Sequence, residues 1–225
     1  MLSVNVYDLE NNDIKNSSDI IAFDDKTTEL INNVDEEIET SLTCNNLTPS
    51  GYRNFRIVTD RVYDQTVRVF NSIARQVIIQ ESYQAYFKER DTRPNGSGAL
   101  VTLCTKDESE KTKQLLEKRF GMQFKSHIFN LIDLIESAND VRNAKFNVQI
   151  ETVTSISMKG TNVNTTEYYT EMSQQGNLKA VILSWDMPAK TVSFRIGTEG
   201  NILLYNNLND YEILDLVDQL LNITP

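Results

Sequence analysis

The chain has 225 residues, a formal net charge of −10 and an ordinary 40 % of hydrophobic residues. That length can hold one large domain or two small ones. The excess of acidic residues argues against a protein that coats nucleic acid, because such binding depends mainly on neutralising phosphates. No apolar run reaches the roughly 20 residues that cross a bilayer, and the first residues lack the features of a signal peptide. We therefore expect a cytoplasmic protein with no membrane contact.

The abundance of Asn and Ile is typical of an AT-rich genome, such as that of a phage, a virus or a low-GC bacterium. For a viral protein the expected location is the host cytoplasm or the virion.

The charges are also unevenly distributed. Residues 1–52 carry eleven acids against two Lys, and residues 53–93 carry eight bases against five acids. Segments of opposite sign attract each other or a partner, so the pattern predicts docking rather than chemistry.

The first 52 residues read as an acidic N-terminal segment that either packs on the rest of the chain or serves as a docking arm. Residues 2–7 alternate like a short strand. Apolar residues then recur at helical spacing and predict an amphipathic helix near 27–42. They are Leu30, Ile31, Val34, Ile38 and Leu42. The turn-forming sequence Pro49-Ser50-Gly51 marks a boundary with an α+β body, residues 53–225.

Within this body, residues 53–145 are predicted to be mainly helical. From 54 to 89 apolar residues keep a period near 3.6, and no Gly or Pro interrupts them. They are Phe55, Val58, Val62, Val69, Ile73 and Val77. A strand is predicted at 99–104, followed by helices at 107–120 and near 124–135.

From residue 146 onward the period changes to 2, which predicts an antiparallel β-meander. The polar residues 160–176 predict a long loop or flap, and residues 186–189 predict a hairpin turn. Asn209 followed by Glu212 has the spacing of a capping box, which predicts a C-terminal helix covering the sheet. The expected fold class is therefore α+β, with a helical N-terminal half followed by this meander and helix.

Residues with catalytic or metal-binding chemistry form no pattern that indicates a site. His127 is the only histidine, and its neighbours predict an ordinary helix residue. Cys44 and Cys104 are too few for a disulfide scaffold and lack zinc-site spacing. The acidic clusters are more typical of solvated faces or of helix N-termini. We predict no catalytic residue, no cofactor and no metal.

The sequence Asn95-Gly96-Ser97-Gly98 has a glycine content that also occurs in phosphate-binding loops. Such loops follow a strand and open a helix, with a longer motif than is present here. A turn is the better interpretation, although Arg90 and Arg93 beside it could hold an anion.

The strongest positive signal is the heptad spacing of Arg61, Arg68 and Arg75. On a helix these guanidinium groups would form a stripe roughly 21 Å long. The stripe could face water and pair with acids of neighbouring helices, or it could dock the acidic segment of the same or another chain. Direct nucleic-acid contact is the third alternative, but no aromatic stacking platform accompanies it. The matching acidic candidates for partner binding are Glu36, Glu37 and Glu39.

These features predict a non-enzymatic interaction protein, a subunit or accessory factor of a multi-protein assembly, with a protein partner or self-association. One alternative is an acidic inhibitor of the immunity, antitoxin or nucleic-acid-mimic kind, which would offer carboxylates to a basic cleft. A further alternative is an enzyme whose site is dispersed over loops. Its pocket rim would then be formed by residues 160–176 with Trp185, Asp186 and Arg195.

Overall fold

The described residues form one large antiparallel sheet of twelve strands, with helices on both of its faces. A computed structural model describes residues 1–11, 20–70, 72–89 and 98–224. Strands account for 55 % of the structure and helices for 23 %, with the helices spread along the chain. The predicted α+β layout with a helical N-terminal half is therefore wrong.

The described strands are β1 (Leu2–Asn11), β2 (Phe23–Ile31), β3 (Val34–Leu47), β4 (Arg53–Tyr63), β5 (Val67–Val69), β6 (Ser72–Ala74), β7 (Val77–Lys88), β8 (Ala99–Thr102), β9 (Gln123–Ser126), β10 (Asp140–Ile150), β11 (Val153–Lys159), β12 (Gly176–Met187), β13 (Lys190–Gly197) and β14 (Asn201–Leu204). The described helices are α1 (Lys106–Phe120), α2 (Leu131–Ser137), α3 (Glu167–Gln175) and α4 (Asp210–Ile223). The sheet order is β11-β10-β12-β13-β14-β1-β8-β7-β4-β3-β2, with β9 also paired to β1. Strands β5 and β6 form a separate hairpin.

The first strand joins the two halves of the sheet. Residues Leu2 to Asn5 of β1 pair with β14, residues 5–8 pair with β8, and its last residues pair with β9. Because successive side chains of a strand point to opposite faces, Val6 and Tyr7 belong to different hydrophobic clusters. Both layers of the core therefore meet on this strand.

Helices cover both faces, but unequally. On one face, Leu116 of α1 lies in a cluster with Phe55 and Phe87. On the other face, α2, α3 and α4 pack on a larger cluster that includes Phe146 and Phe194. The C-terminal half of the sheet therefore has the larger share of the core.

Local sequence rules correctly placed several elements. The helix predicted at 107–120 is α1, capped by the Thr105 side chain and ended by Gly121 in a left-handed conformation (φ 70°). The capping box of Asn209 and Glu212 is present at the start of α4. The hairpin turn predicted at 186–189 connects β12 to β13.

The helix predicted at 27–42 is wrong, because these residues form the β2–β3 hairpin. Asn32 and Asn33 both have positive φ, 48° and 66°, as in the tight turns that connect antiparallel strands. Val34 and Ile38 are four residues apart, a spacing that fits a strand period of 2 as well as a helix period of 3.6. The spacing alone therefore could not separate the two structures.

The long helix predicted from 54 to 89 is wrong for the same reason, since these residues form β4 to β7. Five of the six apolar residues that suggested it are Val or Ile, whose branched side chains favour strands. The helix expected near 124–135 is β9 followed by the shorter α2, and the expected flap at 160–176 contains α3.

Residues 1–52 supply β1 to the middle of the sheet and β2 and β3 to one of its edges. They share this sheet with the strands of residues 53–225, while the division into two regions at Pro49-Ser50-Gly51 stays a prediction. None of the described helices is both long and apolar enough to traverse a lipid bilayer.

Candidate docking surface

The outer parts of β2, β3, β4 and β7 continue beyond the packed core as a β arm, which we define as residues 26–40 and 58–82. Among the described residues, neither large hydrophobic cluster contains a member of the arm. Most described arm side chains are exposed or half-exposed, although Ile31 and Ile38 are buried. The arm is therefore a part of the sheet whose two faces are both largely accessible.

A hydrogen-bond network around Asn32 closes the tip of the arm. Its Oδ1 accepts from the backbone N–H groups of Arg75 and Gln76, at 3.0 and 3.1 Å. Its Nδ2 donates to the Gln76 carbonyl oxygen at 2.9 Å, and the Gln76 side chain in turn donates to Asp64 at 3.1 Å. These bonds hold the β2–β3 turn against the start of β7, so the tip has a defined shape.

Large apolar side chains are exposed at this tip. The exposed fractions are 66 % for Leu30, 55 % for Val34, 93 % for Phe70 and 70 % for Ile73. Leu30 and Ile73 line an open groove of about 800 Å³. Its polar rim is formed by Asn32, Asn33, Asp64, Thr66, Arg75 and Gln76. A groove in which exposed apolar side chains are surrounded by polar ones is found on surfaces that bind another protein.

Arg61, Arg68 and Arg75 do not form a helical stripe, because they lie on β4, on β5 and after β6. Arg68 and Arg75 are exposed near the tip. Arg61 is only partly exposed, and its Nη1 lies 2.6 Å from a Glu108 carboxylate oxygen and 3.4 Å from Glu81. That these three residues bind a partner stays a prediction.

The contact with Glu108 connects the arm to α1. Glu108 is 3 % exposed and lies in the first helical turn, where the helix dipole favours a negative charge. Neither of its buried carboxylate oxygens has a partner with hydrogen-bond geometry among the described residues. Its charge is balanced chiefly by Arg61, with Lys111 farther away at 3.8 Å. Arg61 therefore has a structural role where the arm leaves the core.

Glu36, Glu37 and Glu39 lie on β3 in the acidic hairpin, which we define as β2 with β3. This hairpin carries seven acids and one base, Lys26, a net charge of −6. Lys26 Nζ lies 2.6 Å from Glu37 and 3.8 Å from Glu39, so these two acids share one face, and Glu36 points to the other. Because β2 is the last strand of the sheet, these charges also oppose unwanted edge pairing.

Polar side chains beneath α1 are buried and bonded to one another. The Tyr7 hydroxyl lies 2.7 Å from Ser109 Oγ, which lies 2.6 Å from Thr102 Oγ1. Burial raises the pKa of Tyr7 far above its ordinary value and raises the pKa of the Cys104 thiol to about 12. Both groups stay protonated at neutral pH, which fits packing rather than acid–base catalysis.

His127 follows β9 and does not lie in a helix as predicted. Its Nδ1 is 2.9 Å from Asp8 Oδ2, and its Nε2 is 3.4 Å from Thr224 Oγ1. This order of carboxylate, imidazole and hydroxyl also occurs in catalytic triads. However, His127 and Thr224 are each 3 % exposed, and the Thr224 hydroxyl donates to the Leu220 carbonyl oxygen. The group secures the end of α4 and is closed to a substrate.

The residues proposed for an enzyme pocket rim do not converge. Trp185 lies in the core and its indole N–H donates to Gln219 at 2.9 Å, while the neighbouring Asp186 points to the opposite face and accepts from Asn139. Arg195 is exposed on β13. The geometry therefore offers no support for a site built from these side chains.

Among the described residues, no three His, Cys, Asp or Glu side chains are grouped to hold a metal ion. Cys44 and Cys104 are free thiols. The anion site considered at Arg90 and Arg93, with the adjoining residues 95–97, lies outside the described residues.

No protein-family model matches this chain, and no curated protein is significantly similar to it. Its function therefore has to be argued from the arm. Sequence reasoning missed the apolar tip, although the Asn32-Asn33 pair between strand-like residues was a usable hairpin signal.

Proposed function

We propose that the protein is a non-enzymatic subunit of a protein assembly and binds its partner through the tip of the β arm. The observation that carries this proposal is the exposure of Leu30 and Ile73 in an open groove, with Phe70 exposed in the adjoining β5–β6 turn. Surface apolar side chains that occur singly are ordinary, but several beside one groove mark an interaction site.

The hydrogen bonds of the tip support the same function. The Asn32 network joins two turns that are more than forty residues apart in the chain. A surface that is already ordered loses less conformational entropy when a partner binds. The buried Arg61–Glu108 contact adds a second restraint where the arm leaves the core.

An acidic inhibitor is the second candidate, and the acidic hairpin is the observation that favours it. Its net charge of −6 lies on two strands at an edge of the sheet. A surface of this kind accelerates association with a basic cleft and loses affinity as salt is added. The two candidates therefore differ in which surface binds and in how salt acts.

An affinity capture from the native source, treated with nuclease and read by mass spectrometry, tests the proposal. The full-length protein should capture a stoichiometric protein partner. The Leu30→Ser/Ile73→Ser variant should lose it, and the matched control Ile132→Ser, altered at a 60 %-exposed position of α2, should keep it. Retention by the tip variant would refute the proposal.

The inhibitor candidate is tested in the same experiment with Glu36→Gln/Glu37→Gln/Glu39→Gln. For an inhibitor, this variant should lose a basic partner whose capture by the unaltered protein falls steeply between low and moderate salt. For docking through the apolar tip, the variant should keep its partner at both salt concentrations.

A further inference from the structure

The β5–β6 hairpin connects β4 to β7 at the arm tip and forms an apolar and basic knob. Its two strands pair with each other and are not part of the large sheet. Residues 67–75 contain Arg68 and Arg75 and no acid. Phe70, in its turn, has φ 54° and is 93 % exposed, so the backbone holds a large aromatic side chain away from its own chain.

The groove is lined on one side by Ile73 and Arg75 of the knob, and on the other by Leu30 of β2, whose neighbouring charges are acidic. Leu30, which lines the groove, is directly opposite Asp35 in the β2–β3 register, and Thr28 is opposite Glu37. Residues that alternate along a strand share a face, so Asp35 and Glu37 lie on the same face as Leu30. The β2–β3 side of the groove is therefore apolar and acidic, and its β5–β6 side is apolar and basic.

We propose that the partner at the arm tip is a second copy of this chain, an inference that rests on the proposed docking function of the arm. In the dimer, Phe70 of each copy enters the groove of the other beside Leu30, and Arg68 faces the acids that flank it. Because the contact is reciprocal, a single two-fold axis places the knob of each copy in the groove of the other.

The second copy is the occupant because the two complementary surfaces are both present on this one chain. Phe70 does not fill the groove of its own chain, as its 93 % exposure shows. Arg68 is exposed and lies two residues before Phe70 in the sequence. Asp35, beside Leu30, is exposed and has the opposite charge to Arg68. Aromatic and Arg side chains of this kind commonly provide the main binding energy of protein interfaces.

A charge-exchange experiment with the purified full-length protein tests the inference. Sedimentation velocity over a range of concentrations should show a reversible dimer of the unaltered protein at low salt. Arg68→Glu and Asp35→Arg should each raise the dissociation constant at least about tenfold, because each places like charges at both reciprocal contacts. Phe70→Ser should also weaken the dimer, whereas Tyr211→Ser, altered at a 57 %-exposed position of α4, should not.

The decisive measurement is an equimolar mixture of the Arg68→Glu and Asp35→Arg variants. In the mixed dimer one reciprocal contact joins the two altered residues and the other joins the two unaltered ones, so both are attractive. The mixture should therefore dimerise with nearly the affinity of the unaltered protein. A mixture that stays monomeric, or variants that dimerise alone as well as the unaltered protein, would overturn the inference.

The same samples separate this inference from the proposed function. An unaltered protein that stays monomeric at every concentration, yet captures another protein through Leu30 and Ile73, refutes the second-copy inference and leaves the docking function standing. If both the tip variant and the acidic-hairpin variant keep the captured partner, the docking function is refuted, whatever the oligomeric state.

Discussion

The C-terminal half of the sheet and the β arm have similar strand patterns but opposite surroundings. In β12 and β13, Leu183 and Phe194 are opposite each other and fully buried in the cluster that α4 completes. In the arm, Val62 and Ile78 are also opposite each other, yet Ile78 is 39 % exposed. Alternation of apolar residues therefore indicates a strand, whereas burial depends on a covering layer.

The acidic residues of the two regions also differ in role. At the C-terminal end, Asp218 accepts from the Tyr52 hydroxyl at 2.5 Å and lies 3.1 Å from Lys88 Nζ, and Asp210 accepts from the Tyr86 hydroxyl. These carboxylates attach α4 to the N-terminal half of the molecule. In the acidic hairpin most carboxylates face water, so they are available to a partner.

The largest expected difference comes from the same substitution made in both regions. Leu183→Ala should lower the free energy of unfolding by about 3–5 kcal/mol, because it opens a cavity in a closed core. Leu30→Ala at the arm tip should lower it by less than about 0.5 kcal/mol, because that side chain is 66 % exposed. Urea denaturation measures both, and equal losses would contradict the distinction between core and arm.

Removing Arg61 tests the connection between the arm and α1. Arg61→Met should cost about 2–3 kcal/mol, since it leaves the carboxylate of the buried Glu108 with little compensation. Adding Glu108→Gln should restore much of the loss, because the buried charge is then gone. Denaturation of the two variants measures both effects. A double variant that is less stable than Arg61→Met would contradict the proposed role of Arg61 in balancing the Glu108 charge.

High pH should lower the stability of the folded protein through two groups buried in its core. The ordinary pKa of a thiol is near 9, and burial raises the pKa of Cys104 to about 12; burial likewise raises the pKa of Tyr83 from 10 to about 12. The unfolded chain loses the Cys104 proton above pH 9 and the Tyr83 proton above pH 10, whereas the folded chain keeps both, so stability is intact below pH 9 and falls toward pH 12. The slope approaches about 1.4 kcal/mol per pH unit for each group.

Thermal unfolding measured at pH 8, 9, 10 and 11 checks this dependence. Cys104→Ala should flatten the curve between pH 9 and 10, where Tyr83 contributes little. An unchanged curve for this variant would show that the thiol ionises equally in both states.

The smallest expected effect on global stability comes from opening the tip network. Asn32→Gly keeps a residue that tolerates positive φ and removes the side-chain hydrogen bonds to Arg75 and Gln76. Hydrogen exchange at the tip should become faster, while the free energy of unfolding changes by less than about 1 kcal/mol. Asn33→Gly is the control and should leave exchange at Gln76 unchanged; equal acceleration by both would contradict the network.

Elements set by local chemistry were predictable from the sequence. The Asn209–Glu212 capping box, and the acids at the start of α1 with Gly121 at its end, depend on neighbouring residues, so α4 and α1 were predicted. The strands of the arm were not found, because a spacing of four residues satisfies both helical and strand periods. Pairings such as Leu30 with Asp35 depend on a turn type that a periodicity search does not test.

The candidate surface was predictable only in part. Counting charges identified the acidic stretch around Glu37, which the structure places on an exposed hairpin. The partners of Arg61 could not be inferred, because Glu108 lies 47 residues away and approaches it only through the fold. The sequence pattern predicts Phe70 inside a long helix, whereas the structure places it in a turn with positive φ.

The position of β1 has a consequence for the order in which the protein assembles during translation. Leu2 is synthesised 202 residues before its strand partner Leu204. Contacts between such distant residues form slowly, because a long loop must close before they stabilise the chain. The first residues of β1 therefore stay unpaired on that side until β14 has been made. A chaperone that shields a nascent strand would matter most for these few residues.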